Sequence, residues 1–145
     1  MFTLFSSGTD WTGVILRLTL GLIIFPHGAQ KMLGWFGGYG FSGTMGYFTG
    51  TVNLPWIIGF LVIVIEFFGS LSLLAGLGSR LWAVAMIVLM LGIIFSAHIA
   101  NGFFMNWTGA QGGEGYEYHL LVIGLSLAVV LNGGGRFSLD GYFSG

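Results

Sequence analysis

The run Ile57-Ile58-Gly59-Phe60-Leu61-Val62-Ile63-Val64-Ile65-Glu66-Phe67-Phe68 is apolar throughout except for one carboxyl group, Glu66, which falls about halfway along its hydrophobic segment. A charged side chain at the bilayer centre costs on the order of 2.5–3.5 kcal/mol on insertion scales. Read as a membrane span, the segment requires Glu66 to be protonated, paired, or turned to an internal cavity. An intramembrane ionisable residue is by default a candidate functional site.

The rest of the chain supports that reading. It is 55% hydrophobic and 6% charged, with a mean hydropathy of +0.91, whereas about a quarter of the residues of a soluble domain are charged. Three further stretches approach the ~20 residues that cross a hydrocarbon core, so the spans are Gly13 to Leu33, Trp56 to Leu77, Leu81 to Ala100 and Glu117 to Leu131. The expected fold is all-α, an integral membrane four-helix bundle in contact with the lipid bilayer, with residues 1–145 as one domain. A net charge of -1 leaves no footprint for nucleic acid. With no cysteine, disulfides, cysteine-held iron–sulfur clusters and a catalytic thiol are excluded on this chain. Redox chemistry would need a bound cofactor, a quinone or a partner.

Arg17, Arg80 and Arg136 fall at one end of the expected bundle and Lys31 at the other. Positive-inside counting then places both termini in the cytoplasm of a bacterial inner (cytoplasmic) membrane protein. No Lys or Arg precedes Trp11, so a cleavable signal's cationic region is missing and the first span is expected to be retained. Gly21 to Gln30 aligns without a gap to Gly92 to Asn101, which suggests a parallel two-helix repeat about the membrane normal. Abundant glycine allows close packing within the bundle and between copies, which leaves a homo-oligomer open. The outer loop from Gly34 to Pro55 holds seven glycines among aromatic residues. It should fold back over the bundle with a short helix near Ser42 to Phe48, and with the loop Asn101 to Tyr116 could form a lid.

A rise of 1.5 Å per residue from the cytoplasmic end puts Glu66 roughly 17 Å up, His27 roughly 21 Å, Glu117 roughly 22 Å and His98 roughly 26 Å. Each helix thus delivers one polar group to the outer half. Lys31 lies one turn above His27, and Asn101 three residues beyond His98, each on the same face as its partner. Glu117 and His119 lie about 200° apart around a helix and cannot both point inward; Glu117 is chosen as the inward one. Arg17 lies roughly 6 Å up, within reach of carbonyls or Asp140 at the inner rim.

Several motifs now stand in order: Arg17, Gly21, His27-Gly28-Ala29-Gln30-Lys31, Gly34-Trp35-Phe36-Gly37-Gly38-Tyr39-Gly40, Glu66-Phe67-Phe68-Gly69, Gly76-Leu77-Gly78-Ser79-Arg80, His98, Gly102-Phe103-Phe104, Gly115-Tyr116-Glu117-Tyr118 and Gly133-Gly134-Gly135-Arg136-Phe137-Ser138-Leu139-Asp140. In this the chain resembles the DoxX family of small four-helix bacterial membrane proteins, over nearly its whole length. The family's matching positions are Arg17, His27, Lys31, Glu66, Arg80, His98, Glu117 and Asp140. One departure is Gly134, where the family often has Pro, which bears on how stiffly the tail is set. The resemblance implies a redox role, since relatives are linked to thiosulfate:quinone oxidoreduction, oxidative-stress responses and membrane-associated redox complexes.

The leading expectation is a redox component that binds a quinone or similar small lipophilic substrate under the outer loops, with a soluble or membrane redox partner. Glu66, His27 and His98 are the candidate catalytic groups: the histidines bond substrate oxygens and Glu66 relays protons. Lys31, Asn101, Glu117 and Arg17 are the candidate binding groups, with Lys31 and Glu117 fixing the local charge. Arg80 and Asp140 are structural polar groups. No metal site is assigned. The alternatives are haem or metal ligation by the two histidines, a non-catalytic anchor or assembly subunit of a redox complex, and a proton-coupled carrier.

Overall fold

A computed structural model describes residues 10–144. Among them there are helices and connecting loops and no strand. The long elements are α1 (Trp11–Met32), α3 (Trp56–Ala75) and α4 (Ser79–Asn101), each long and apolar enough to cross a membrane, and α5 (Glu117–Asn132), which is apolar but shorter. The loop after α1 contains α2 (Gly40–Gly50), the short helix expected near Ser42 to Phe48, and α6 (Leu139–Ser144) closes the described chain.

The four long helices pack as a ring in the order α1, α3, α4, α5, with α1 and α4 on one diagonal. Leu20, Ile24, Leu73, Met86, Met90, Val122 and Val129 fill the centre. Leu22, Val88, Phe95, Leu121 and Leu131 point outward and are exposed, an apolar jacket suited to lipid and not to water. Two helices depart from α geometry by a π turn, Ile65–Gly69 within α3 and Ile94–His98 within α4. The repeat expected from the sequence pairs α1 with α4 and α3 with α5, and neither α1 nor α5 has a π turn, so the two π turns do not follow that repeat.

One end of the bundle is clamped by Arg17, which is 3% exposed. Its Nε donates to Gly134 O at 2.8 Å. Its Nη1 donates to Leu74 O at 2.6 Å and to Leu73 O at 3.3 Å, and its Nη2 to Phe137 O at 3.2 Å and Arg136 O at 3.3 Å. The fixed fork of a guanidinium serves several carbonyls at once, and here it ties α1 to the end of α3 and to the segment before α6. Asp140 supports the same end by accepting from Gly78 N at 2.6 Å and Ser79 N at 2.8 Å. It thereby satisfies free amides at the start of α4, where a carboxylate also suits the helix dipole. Arg80 donates through Nη1 to Val130 O. At the rim, the hydrogen bond from Asn132 Nδ2 at 2.8 Å holds the exposed Asp10 carboxyl below its ordinary pKa.

Candidate functional site

At the opposite end the helices part around a cavity of about 400 Å³, within the ~300–1,000 Å³ usual for ligand sites. Each long helix contributes to it: Ile24, His27 and Lys31 from α1, Val62 and Glu66 from α3, Met90, Ile93, Ser96, Ala97 and His98 from α4, and Tyr118 and His119 from α5. Both loops add to the wall, the first through Tyr47, Phe48, Val52 and Leu54 and the second through Met105 and Glu114.

The helices bring these groups together for identifiable reasons. At Gly28 a Cβ would stand 2.5 Å from the carbonyl oxygen of Glu66, so α1 and α3 meet backbone to backbone and only glycine fits. Helical side chains lean toward the N-terminus of their own helix. Lys31 therefore reaches back down α1, its Nζ 3.4 Å from His27 O and 2.5 Å from Glu66 Oε2. Glu66 is 5% exposed and sits in the π turn of α3, a distortion frequent at functional sites. The carboxyl group inside the span is thus both paired and turned to a cavity.

On the facing side the rings of His98 and His119 lie 4.5 Å apart, those of Tyr118 and His119 5.4 Å, and those of His27 and Tyr118 6.2 Å. His98 Nδ1 is 2.7 Å from Glu114 O. A carbonyl only accepts, so Nδ1 carries the proton and Nε2 is left as the acceptor. Tyr118 Oη and His119 Nδ1 are buried with no hydrogen-bond partner among the described residues. An unmade bond at a buried polar atom is costly, and both residues line the cavity.

His27, Lys31, Glu66 and His98 all line the cavity. Other expected binding groups do not. Glu117 is outside the lining, and the inward residue of the pair is His119, 7% exposed. The buried stripe of α5 is His119, Val122, Ser126 and Val129, and Glu117 falls off it. Lys31 consequently pairs with Glu66 and not with Glu117. Asn101 is also outside the lining; its Nδ2 donates to Glu114 O at 3.0 Å, so it fixes the loop. The π turn and the 3-10 turn Ile99–Asn101 end α4 irregularly, so Asn101 does not keep the helical phase of His98. Arg17 holds the clamp and contributes nothing to the cavity. Tyr118, His119 and Glu114 were missed as candidates. The spacing of His119 to Val122, Ser126 and Val129 was the available signal, because a small hydroxyl residue such as Ser126 marks a helix-packing face in membrane bundles. Among the described residues no three His, Asp or Glu side chains are grouped so as to hold a metal ion.

Fold and cavity together define a small all-helical membrane protein with a polar chamber at one end of its bundle. The chain belongs to the DoxX family, whose profile matches residues 13–99. It is similar to "Putative oxidoreductase CatD" of Bacillus subtilis (strain 168), with 27% identity over 124 residues that cover 86% of this chain and 80% of that relative. No solved structure matches the chain.

Proposed function

We propose that this protein is an inner-membrane redox component that binds a quinone, or a similar small lipophilic substrate, in the chamber between His27, Glu66, His98, Tyr118 and His119. The observation that carries the reading is one cavity holding the half-buried Lys31–Glu66 pair at 2.5 Å, with two buried ring-borne polar atoms that have no partner among the described residues, in otherwise mainly apolar walls. A ring with two oxygens suits that arrangement: the Tyr118 hydroxyl donates to one oxygen, and a histidine ring in its N–H form to the other. Membership of DoxX and similarity to a relative named "Putative oxidoreductase CatD" support a redox role.

Reduction of such a substrate takes up protons with its electrons, which a redox partner supplies. Imidazole and carboxyl side chains suit proton transfer near neutral pH. Glu66, bridged to Lys31, is placed to pass a proton into the chamber, while His98, with Nδ1 bound to Glu114 O, presents Nε2 to the interior. The proposed topology has both termini in the cytoplasm, the chamber in the outer half of the membrane, and copies free to associate.

Purification in mild detergent, mass spectrometry of extracted small molecules, and quinone titration followed by tryptophan fluorescence test the reading. Recovered quinone and saturable quenching, both reduced by Tyr118→Phe, are expected. Absence of both would end it, and a Soret band in the purified protein would favour haem ligation instead.

A further inference from the structure

A second hollow adjoins the chamber, a groove of about 350 Å³ between α3 and α4. The two share Leu54, Val62, Ile93 and Ser96 as lining, so the groove starts where the chamber wall ends. Their chemistry divides cleanly. His27, Lys31, Glu66, His98, Tyr118 and His119 from the long helices face the chamber, with Tyr47 and Glu114 from the loops; among the described residues no ionisable side chain lines the groove. Its outer edge carries Ile58, Leu61 and Val88, all exposed, so it opens sideways where lipid lies. Its wall includes Gly92, where an added Cβ would find nothing within 4 Å. Glycine in mid-helix costs roughly 1 kcal/mol relative to alanine, and at this position no close neighbour demands it.

We propose that this groove holds the hydrocarbon tail of the ligand whose ring occupies the chamber. The inference rests on the quinone reading and deepens it: the substrate class becomes quinones with an isoprenoid or alkyl side chain, taken from the bilayer, in preference to tail-less rings. A phospholipid chain is the poorer occupant, because the groove leads into the chamber wall through the shared residues and a lipid headgroup would have to stay at the membrane surface. Polar head in a chamber and tail in an adjoining apolar groove is the division that a single amphiphile satisfies.

The test uses full-length protein in lipid nanodiscs, titrated with a tail-less methoxylated benzoquinone and with its decyl derivative. Comparing wild type with Gly92→Leu for each compound cancels partitioning into the lipid. The leucine side chain fills the groove from a site with no neighbour to displace, and is expected to weaken the decyl compound by about tenfold or more while leaving the tail-less compound unchanged. Equal effects on both compounds, or no effect on either, would overturn the groove assignment and leave the chamber reading standing. Failure of wild type to bind either compound would remove both. Should Gly92→Leu not fold, a diazirine at the end of the alkyl chain decides on the wild-type protein: crosslinks within residues 58–65 or 88–96 support the assignment, and crosslinks confined elsewhere overturn it.

Discussion

Lys31 and Glu66 form an ion pair between α1 and α3, Nζ to Oε2 at 2.5 Å, made reachable by the backbone contact at Gly28. The lysine side chain is 24% exposed and the glutamate 6%, so the pair is neither a surface bridge nor a sealed one. Removing one partner of a buried pair costs about 3–5 kcal/mol because the other is left uncompensated; the exposure of Lys31 puts this pair at the low end, about 3 kcal/mol or less. Lys31→Met is expected to lower the unfolding midpoint in detergent, and adding Glu66→Gln is expected to restore most of it. That coupling separates an interacting pair from two independent residues. Glu66→Gln alone should insert normally but lose quinone turnover or binding. If the amide is silent in both assays, the carboxyl group has no functional role.

Tyr118 gives a prediction with opposite signs for stability and binding. Its hydroxyl is buried without a partner among the described residues, and desolvating it without return is unfavourable. Tyr118→Phe should therefore leave the ligand-free protein as stable as wild type or slightly more so. Loss of one neutral hydrogen bond to ligand, about 0.5–1.5 kcal/mol, should weaken quinone binding by roughly two- to tenfold. Thermal unfolding with and without quinone measures both. A variant destabilised without ligand would show that the hydroxyl already has a partner.

Arg17 should behave in the reverse manner. It donates to five carbonyls from two segments, and hydrogen bonds to charged groups contribute about 1.5–3 kcal/mol each without adding fully. A lysine keeps the charge but not the planar fork. Arg17→Lys is expected to cost more than about 3 kcal/mol in stability and, in molecules that remain folded at low temperature, to leave quinone affinity unchanged. Reduced affinity at full folding would return Arg17 to the binding site.

Orientation is open to direct labelling, because the native chain has no cysteine. Ser42 and Thr108 are exposed at the chamber end and Tyr142 at the clamped end. With a membrane-impermeant thiol reagent on intact cells, Thr108→Cys and Ser42→Cys should react and Tyr142→Cys should be protected. The reverse pattern would put the chamber on the cytoplasmic side.

Much of this architecture could be read from residue order. An apolar run interrupted by Glu66 defined a span and its polar point, and rise per residue brought His27, Lys31, Glu66 and His98 to one end of the bundle. Three features resisted. The rotation of α5 was ambiguous because most residues near its start are apolar or aromatic, so only the stripe ending in Ser126 and Val129 distinguishes His119 from Glu117. Lys31 was assigned by the height of its Cα, whereas a long side chain leaning toward its helix N-terminus acts a turn lower. Asn101 was phased on an ideal helix that the π turn at Ile94–His98 breaks. Depth along α1 put Arg17 within reach of carbonyls at the inner rim, but residue order did not say which ones, because every residue has a carbonyl.

Fastened by Arg17 at one end and hollow at the other, the bundle has its firmest joint far from its cavity. His27 lies ten residues along α1 from Arg17, a lever of about 15 Å at 1.5 Å per residue. Pivoting α1 by about 4° would move His27 by about 1 Å while hardly stretching the bonds at the joint. Because α1 meets α3 backbone to backbone at Gly28 and shares the Lys31–Glu66 pair with it, such a tilt would carry those two helices together and change the chamber's width against α4 and α5.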